Sequence, residues 1–289
     1  MSSIVVPMKN FCLDLHLKSI LVSTERCIMT APLSSGTLSI NQTSRIGVLA
    51  TMVDVAASDP VLAAWNPDWT ATQDLSVHTM SPLVEGPIVV DAYLTRLGKR
   101  ATFVSADIYD GHGLEDIVAL QAAIDNKSTA TPLTPAAKSL ITFVRIPRSG
   151  ASGVDTYNPN DWIGELKTRT SGIDNLDSLN SRLGIEMIDA NLGIVEIANT
   201  PYVSNSIGTI NGGVQAITME SAAEAMRPGM LAVDMQIHFM SQLKTGPART
   251  RCTLIRETSD YSVIKVDLID AGNQGKLLST ASITLNILD

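Results

Sequence analysis

The polar and apolar positions along the chain run through one plan twice. Residues 8–30 alternate loosely, which predicts one or two opening strands, and the run 34–44, rich in Ser, Thr, Asn and Gly, predicts a loop. Residues 46–64 carry apolar side chains at Val48, Met52, Val55 and Ala56 and are apolar nearly throughout, the mark of a buried helix. Asn66-Pro67-Asp68 ends it. Strand patterns follow at 70–80, 87–97 and 101–109, with Gly98-Lys99 as the turn between the last two, and 139–146 reads as a closing strand. The second round predicts strands at 183–189 and 192–199, a helix at 211–226 stopped by Pro228-Gly229, and strands at 230–240, 247–257, 260–270 and 276–288. Residues 113–137 have no counterpart in the second round, and within them 114–124 fits a helix or a strand equally.

The two rounds agree residue by residue. Gly47 begins a helical run that carries an acid at Asp54, and Gly213 begins one that carries Glu220 at the same spacing. Asp74-Leu75-Ser76-Val77-His78-Thr79-Met80-Ser81 precedes Gly86-Pro87, and Asp234-Met235-Gln236-Ile237-His238-Phe239-Met240-Ser241 precedes Gly246-Pro247 at one constant offset. A repeat this long means a duplicated domain rather than a solenoid. A buried helix followed by antiparallel strands is an α+β unit, a sheet curled around a helix. The chain therefore divides into a first unit over 1–148, a linker over 149–180 rich in Gly, Ser, Pro and Asn, and a second unit over 181–289. Twin units pack about a pseudo-twofold axis. If their strands pair across it, Asp74 meets His238 and Asp234 meets His78, an interface contact rather than a metal or catalytic site.

Composition narrows the class. Hydrophobic residues make up 45% of the 289, aromatics only 4%, so the core is aliphatic. Four phenylalanines and three tryptophans argue against a dedicated aromatic cage, and the methionines at 219, 226, 230, 235 and 240 read as core and pocket lining. A net charge of −8 argues against a nucleic-acid partner. Cys12, Cys27 and Cys252 show no metal spacing, and this odd, sparse set fits a reducing, cytoplasmic location. We see no signal peptide, and no apolar stretch approaches the ~18 residues needed to span a bilayer.

The chemistry concentrates before the second helix, in Asn205-Ser206-Ile207-Gly208-Thr209-Ile210-Asn211-Gly212-Gly213, with Glu220 further on. Glycines at a helix start admit close approach to free N–H groups, and the positive end of the helix dipole favours developing negative charge there. A carboxylate on the same helix beside such a donor is a means of hydrolysing an activated acyl group. This stretch, with the strand Val233 to Ser241 and its twin, resembles the hotdog-fold acyl-CoA thioesterases of the phenylacetyl-CoA and 4-hydroxybenzoyl-CoA thioesterase branch. The resemblance spans roughly 40–110 and 180–288. It implies an α+β fold of two hotdog domains in one chain, each an antiparallel sheet wrapped around a long buried helix. It also implies a thioester hydrolase acting on acyl-CoA, with no metal or cofactor beyond the coenzyme A of the substrate. Two such chains are expected to associate as a homodimer.

In that pattern Glu220 is the base or nucleophile, the Gly212 N–H polarises the carbonyl, Asn205 and Asn211 position the thioester or water, and Ser81 joins from the other half. A second site falls on Asp54, Gly47 and Ser241, but Arg45-Ile46-Gly47 replaces Asn211-Gly212-Gly213 and Ser39 replaces Asn205, so the expectation is a working site at Glu220 and a degenerate one at Asp54. Lys99-Arg100, Arg249, Arg251, Arg256 and Lys265 compete as holders of coenzyme A phosphates. Two other readings stay open. A non-catalytic acyl-CoA or lipid-binding protein fits the decay of one motif. An enoyl-CoA hydratase shares the fold, but no histidine lies near Glu220 or Asp54 in sequence.

Overall fold

The computed structural model describes residues 10–34, 36–39, 41–126, 133–147, 157–171 and 177–287. A 3₁₀ turn over Phe11–Leu15 leads into β1 (Leu17–Ser23) and β2 (Arg26–Ala31). Then come α1 (Ile46–Trp65), β3 (Trp69–Thr79), β4 (Ile88–Leu97), β5 (Ala101–Asp110), α2 (Ile117–Asn126) and β6 (Thr134–Ile146). A 3₁₀ turn over Pro159–Trp162 and β7 (Leu166–Arg169) precede α3 (Leu179–Leu183), β8 (Glu186–Asp189) and β9 (Ile194–Ile197). The chain ends in α4 (Gly212–Met226), β10 (Leu231–Phe239), β11 (Ala248–Glu257), β12 (Tyr261–Asp270) and β13 (Lys276–Asn286).

The strands of the described residues join one antiparallel sheet in the order β7-β1-β2-β4-β5-β6-β3-β10-β13-β12-β11-β9-β8. Its two halves meet where β3 pairs with β10, and Ser76 stands opposite its own repeat-mate Gln236, which marks the pseudo-twofold. The same register sets Asp234 against His78 and Asp74 against His238 as the repeat predicts, and the first pair closes to 2.5 Å between carboxylate and imidazole. It bridges the two halves on an exposed stretch of sheet.

α1 and α4 lie inside the curl, and α1 is apolar on nearly every face because every face is covered. It is also 20 residues long with a mean hydropathy of 1.5, enough by length and composition to cross a membrane, which corrects the expectation that no stretch reaches that length; 83% of it is buried inside the protein. The two helices cross closely at their glycines. A Cβ on Gly47 would stand 2.8 Å from the Ile217 Cα, and one on Gly213 would stand 2.1 Å from Thr51 Oγ1. These contacts are repeat-mates of each other, so each helix start lies against the middle of the other helix.

The loops after β3 and β10 are fixed by a matched device. Asp110 accepts the amides of Val84, Glu85 and Gly86 at 2.7–3.0 Å, and Asp270 accepts those of Lys244, Thr245 and Gly246 at 2.7–3.0 Å. Burial works against these carboxylates, yet the gathered N–H donors win and lower both pKa values. Three segments depart from expectation. The undecided stretch is a helix, α2, whose Ile117 and Leu120 cover Ile28 and Val89 on the outer face; the repeat-mate of Val89 is Arg249, which needs no cover. The segment read as linker carries β7, which extends the sheet beside β1. The strand predicted over 183–189 begins only at Glu186, because α3 runs to Leu183 and Gly184 ends it at φ +70°.

Candidate active site

Two clefts flank the helix crossing at repeat-related places, and their contents differ. The larger, about 640 Å³, is lined by Asp54 and Thr72 from the first half and by Asn205, Asn211, Gly212, Gln215 and Ser241 from the second. The smaller, about 230 Å³, is lined by Glu220, Glu224 and Ala232 from the second half and by Ser39, Arg45, Ile46, Leu49 and Ser81 from the first.

In the larger cleft α4 begins at Gly212, whose N–H has no acceptor within the helix. Asn211 caps the helix by accepting the Gly213 N–H at 2.8 Å rather than that of Gly212, and Gly212 lines the cleft. A Cβ on Gly212 would meet Asp54 Oδ2 at 3.4 Å and Phe239 Cζ at 3.2 Å, so glycine keeps this amide accessible beside the carboxylate. Thr72 donates to Asp54 Oδ1 at 2.5 Å and sets its orientation. Burial pushes the Asp54 carboxyl up to about 6, against the lowering effect of that hydroxyl. Gln215, one turn into α4, donates to the Ile210 carbonyl at 3.1 Å and accepts from Ser279 at 2.7 Å, so its amide is held rigid. Asn205 accepts the Ile207 and Thr209 amides at 3.1 and 3.2 Å and shapes the turn ahead of the helix.

The expected grouping of Glu220 with Gly212, Asn211 and Asn205 is not what the chain builds. Glu220 lies eight residues into α4, about 12 Å along the axis from Gly212, and the crossing of the helices turns it to the start of α1. There the Arg45 guanidinium holds Glu220 Oε2 at 2.9 and 3.0 Å, and Arg45 also reaches Asn180 Oδ1 at 2.8 Å and Ser221 Oγ at 3.0 Å. Glu220 is 1% exposed. Gly47 likewise lies with Glu220 and Ile217 rather than with Asp54. Ser81 does share the cleft of Glu220, and Ser241 that of Asp54, but both hydroxyls donate to backbone carbonyls, of Pro135 and Leu277. Burial, then the charge of Glu220, raises the pKa of Glu224 in the smaller cleft. Four groups of the larger cleft thus have a blunted repeat-mate in the smaller: Arg45 for Asn211, Ile46 for Gly212, Leu49 for Gln215, Ala232 for Thr72. Thr72 and Gln215 escape a motif search, but aligning the two halves exposes both, since each is polar where its repeat-mate is not. Among the described residues no three His, Cys, Asp or Glu side chains gather to hold a metal.

Comparison with known proteins agrees with this architecture. Residues 200–286 match a family model described as the acyl-CoA thioesterase N-terminal domain. A search of curated proteins finds no match. Among solved structures, a Thermobifida fusca protein provisionally assigned as a thioesterase II is 14% identical, with a TM-score of 0.57 over 98% of this chain and 99% of that one. A tesB protein of Mycobacterium avium subspecies paratuberculosis is 10% identical, with a TM-score of 0.55 over 93% of this chain and 94% of that one. A protein of unknown function with a hotdog fold from Alicyclobacillus acidocaldarius is 10% identical, with a TM-score of 0.51 over 92% of this chain and 94% of that one. At such identities the structures show the fold, a hotdog-type antiparallel sheet with its helices. Together with the domain match, they support a thioester hydrolase.

Proposed function

We propose that this chain is an acyl-CoA thioesterase built as two hotdog units, with its working site at Asp54 rather than Glu220. The observation that carries this reading is one carboxylate from the first half set against the open helix start of the second, inside the larger cleft. The thioester carbonyl oxygen docks at the Gly212 N–H, where the amide and the helix dipole stabilise the negative charge that develops. Asp54, held by Thr72, takes a proton from water as the water oxygen bonds to the carbonyl carbon. The tetrahedral adduct collapses, the carbon–sulfur bond breaks, and the proton passes to the departing thiolate, yielding the free acid and coenzyme A. Gln215 and Asn205 hold the donor face in shape. No step calls for a metal or redox cofactor.

The motif at Asn211-Gly212-Gly213 keeps its resemblance to the phenylacetyl-CoA and 4-hydroxybenzoyl-CoA branch, whereas the compared proteins bear thioesterase II and tesB names, so the substrate is better argued from the cleft. A binding-only role fits the smaller cleft, where Arg45 occupies Glu220, and not the larger. Thiol release from a panel of acyl-CoAs tests the proposal: release by wild type, abolished in Asp54→Asn, supports it, and no release from any thioester refutes it.

A further inference from the structure

From Asp54 the larger cleft follows one face of α1 past Ser58 and Leu62, and Arg169 of β7 borders the same space. β7 pairs with β1 so that Arg169 stands opposite Leu17 and Lys167 opposite Ser19. Leu17 and Ser19 are 0% and 1% exposed on the concave face, so β7 turns both of its cations inward against α1. One carboxylate meets them there. Asp59 accepts from Arg169 Nη2 at 3.3 Å and from the Tyr157 hydroxyl at 2.8 Å, and Lys167 Nζ donates to that hydroxyl at 2.6 Å. Among the described residues Lys167 has no carboxylate within ion-pair distance, so two cations share one anion. Lys167 is pushed down to about 8 by burial and by the charge of Arg169. Asp59 pairs with Arg169, while Lys167 rests over the rings of Tyr157 and Trp162 at 4.3 and 5.6 Å. Arg169 spends two N–H groups of its five, on Asp59 and on Ser19 Oγ at 2.9 Å, and its side chain remains 19% exposed toward the cleft.

We infer that the far end of the cleft receives an anion, the terminal carboxylate of a dicarboxylic acyl chain, at Arg169. Asp54, Ser58 and Leu62 line the cleft from one face of α1, so a diacid lying along that face puts its thioester end at Asp54 and its carboxylate end at the guanidinium. The choice of a thioester rests on the proposed activity; the recognition of a carboxylate does not.

The test is calorimetric titration with two non-hydrolysable thioethers of equal chain length, carboxypentyl-CoA and hexyl-CoA. Wild type is expected to bind the carboxypentyl compound about tenfold tighter, the scale of one charge-assisted hydrogen bond. In Arg169→Met combined with Asp59→Asn, which leaves no buried carboxylate stranded, that advantage falls to about onefold. Equal or weaker binding of the carboxypentyl compound by wild type overturns the inference, a result that stands even where the double variant fails to fold. So does an advantage that survives the double variant. Equal weakening of both compounds in the double variant also overturns it, since Arg169 would then be reading a phosphate of coenzyme A. Thiol release from hexanoyl-CoA, measured alongside, tests the thioesterase reading separately.

Discussion

Gly212 lies so close to Asp54 that a methyl group in place of its hydrogen would stand 3.4 Å from the carboxylate. The two residues come from different halves of the chain and different helices, so neither half alone assembles this site. Gly212→Ala fills the space over the amide and asks the Phe239 ring, 3.2 Å from the new Cβ, to give by about a few tenths of an ångström. We expect turnover to drop about 10- to 100-fold with little change in melting temperature. Gly213→Ala behaves the opposite way. Its Cβ would press to 2.1 Å from Thr51 Oγ1 at the helix crossing, so it loses about 1–3 kcal/mol of stability. Steady-state kinetics beside thermal melts separate the two effects.

The raised carboxyl of Asp54 gives activity and stability opposite pH dependences. Folding raises its pKa from 3.8 to about 6, so the folded protein holds this proton more tightly than the unfolded chain. Its contribution to stability is complete below the unfolded value and is lost as pH rises through about 6. The base must be ionised to act, so kcat/KM climbs with pH and levels off above about 6. Asp54→Asn removes the ionisation penalty. It should melt higher than wild type near about pH 8 and converge with it near about pH 4, as scanning calorimetry would show.

Thr72→Val removes the hydroxyl that donates to Asp54 and favours its charged form. The pH–rate profile should move to the alkaline side, with kcat lowered about tenfold. Thr72→Ser, which keeps a donor, should restore most of both. An unshifted profile in the valine variant would mean that Thr72 does not hold the reacting carboxylate.

Arg45 and Glu220 form a buried pair in the smaller cleft. Glu220→Gln strands the guanidinium and should cost about 3–5 kcal/mol of stability, while Arg45→Leu with Glu220→Leu should cost far less. Chemical denaturation measures both. The pair serves packing, so below its melting transition Glu220→Gln should hydrolyse at close to the wild-type rate.

Much of the fold is legible in the sequence because each repeat carries its own punctuation. Apolar runs, Asn66-Pro67 and Pro228-Gly229 place both central helices, and the Asp-to-Ser strand motif places the join between halves, down to the pairing of His78 with Asp234. The site residues are legible as types but not as partners. A linear reading joins Glu220 to Gly212 because they share a helix, whereas the crossing of α1 and α4 exchanges them, so each acid meets the other helix's start. Thr72 and Gln215 hold no motif position, and Arg45 reads as a lost asparagine until its guanidinium is seen on Glu220. Long-range geometry of this kind depends on close packing at Gly47 and Gly213, which no local pattern encodes.

The central claim is that Asp54, and not Glu220, drives the chemistry. Thiol release from saturating acyl-CoA, measured for wild type, Asp54→Asn and Glu220→Gln at a temperature where all three are folded, tests it most directly. The account predicts a fall of about 10²–10⁴-fold in Asp54→Asn and a near wild-type rate in Glu220→Gln. Full turnover by Asp54→Asn with loss in Glu220→Gln would contradict it and return the site to the second helix.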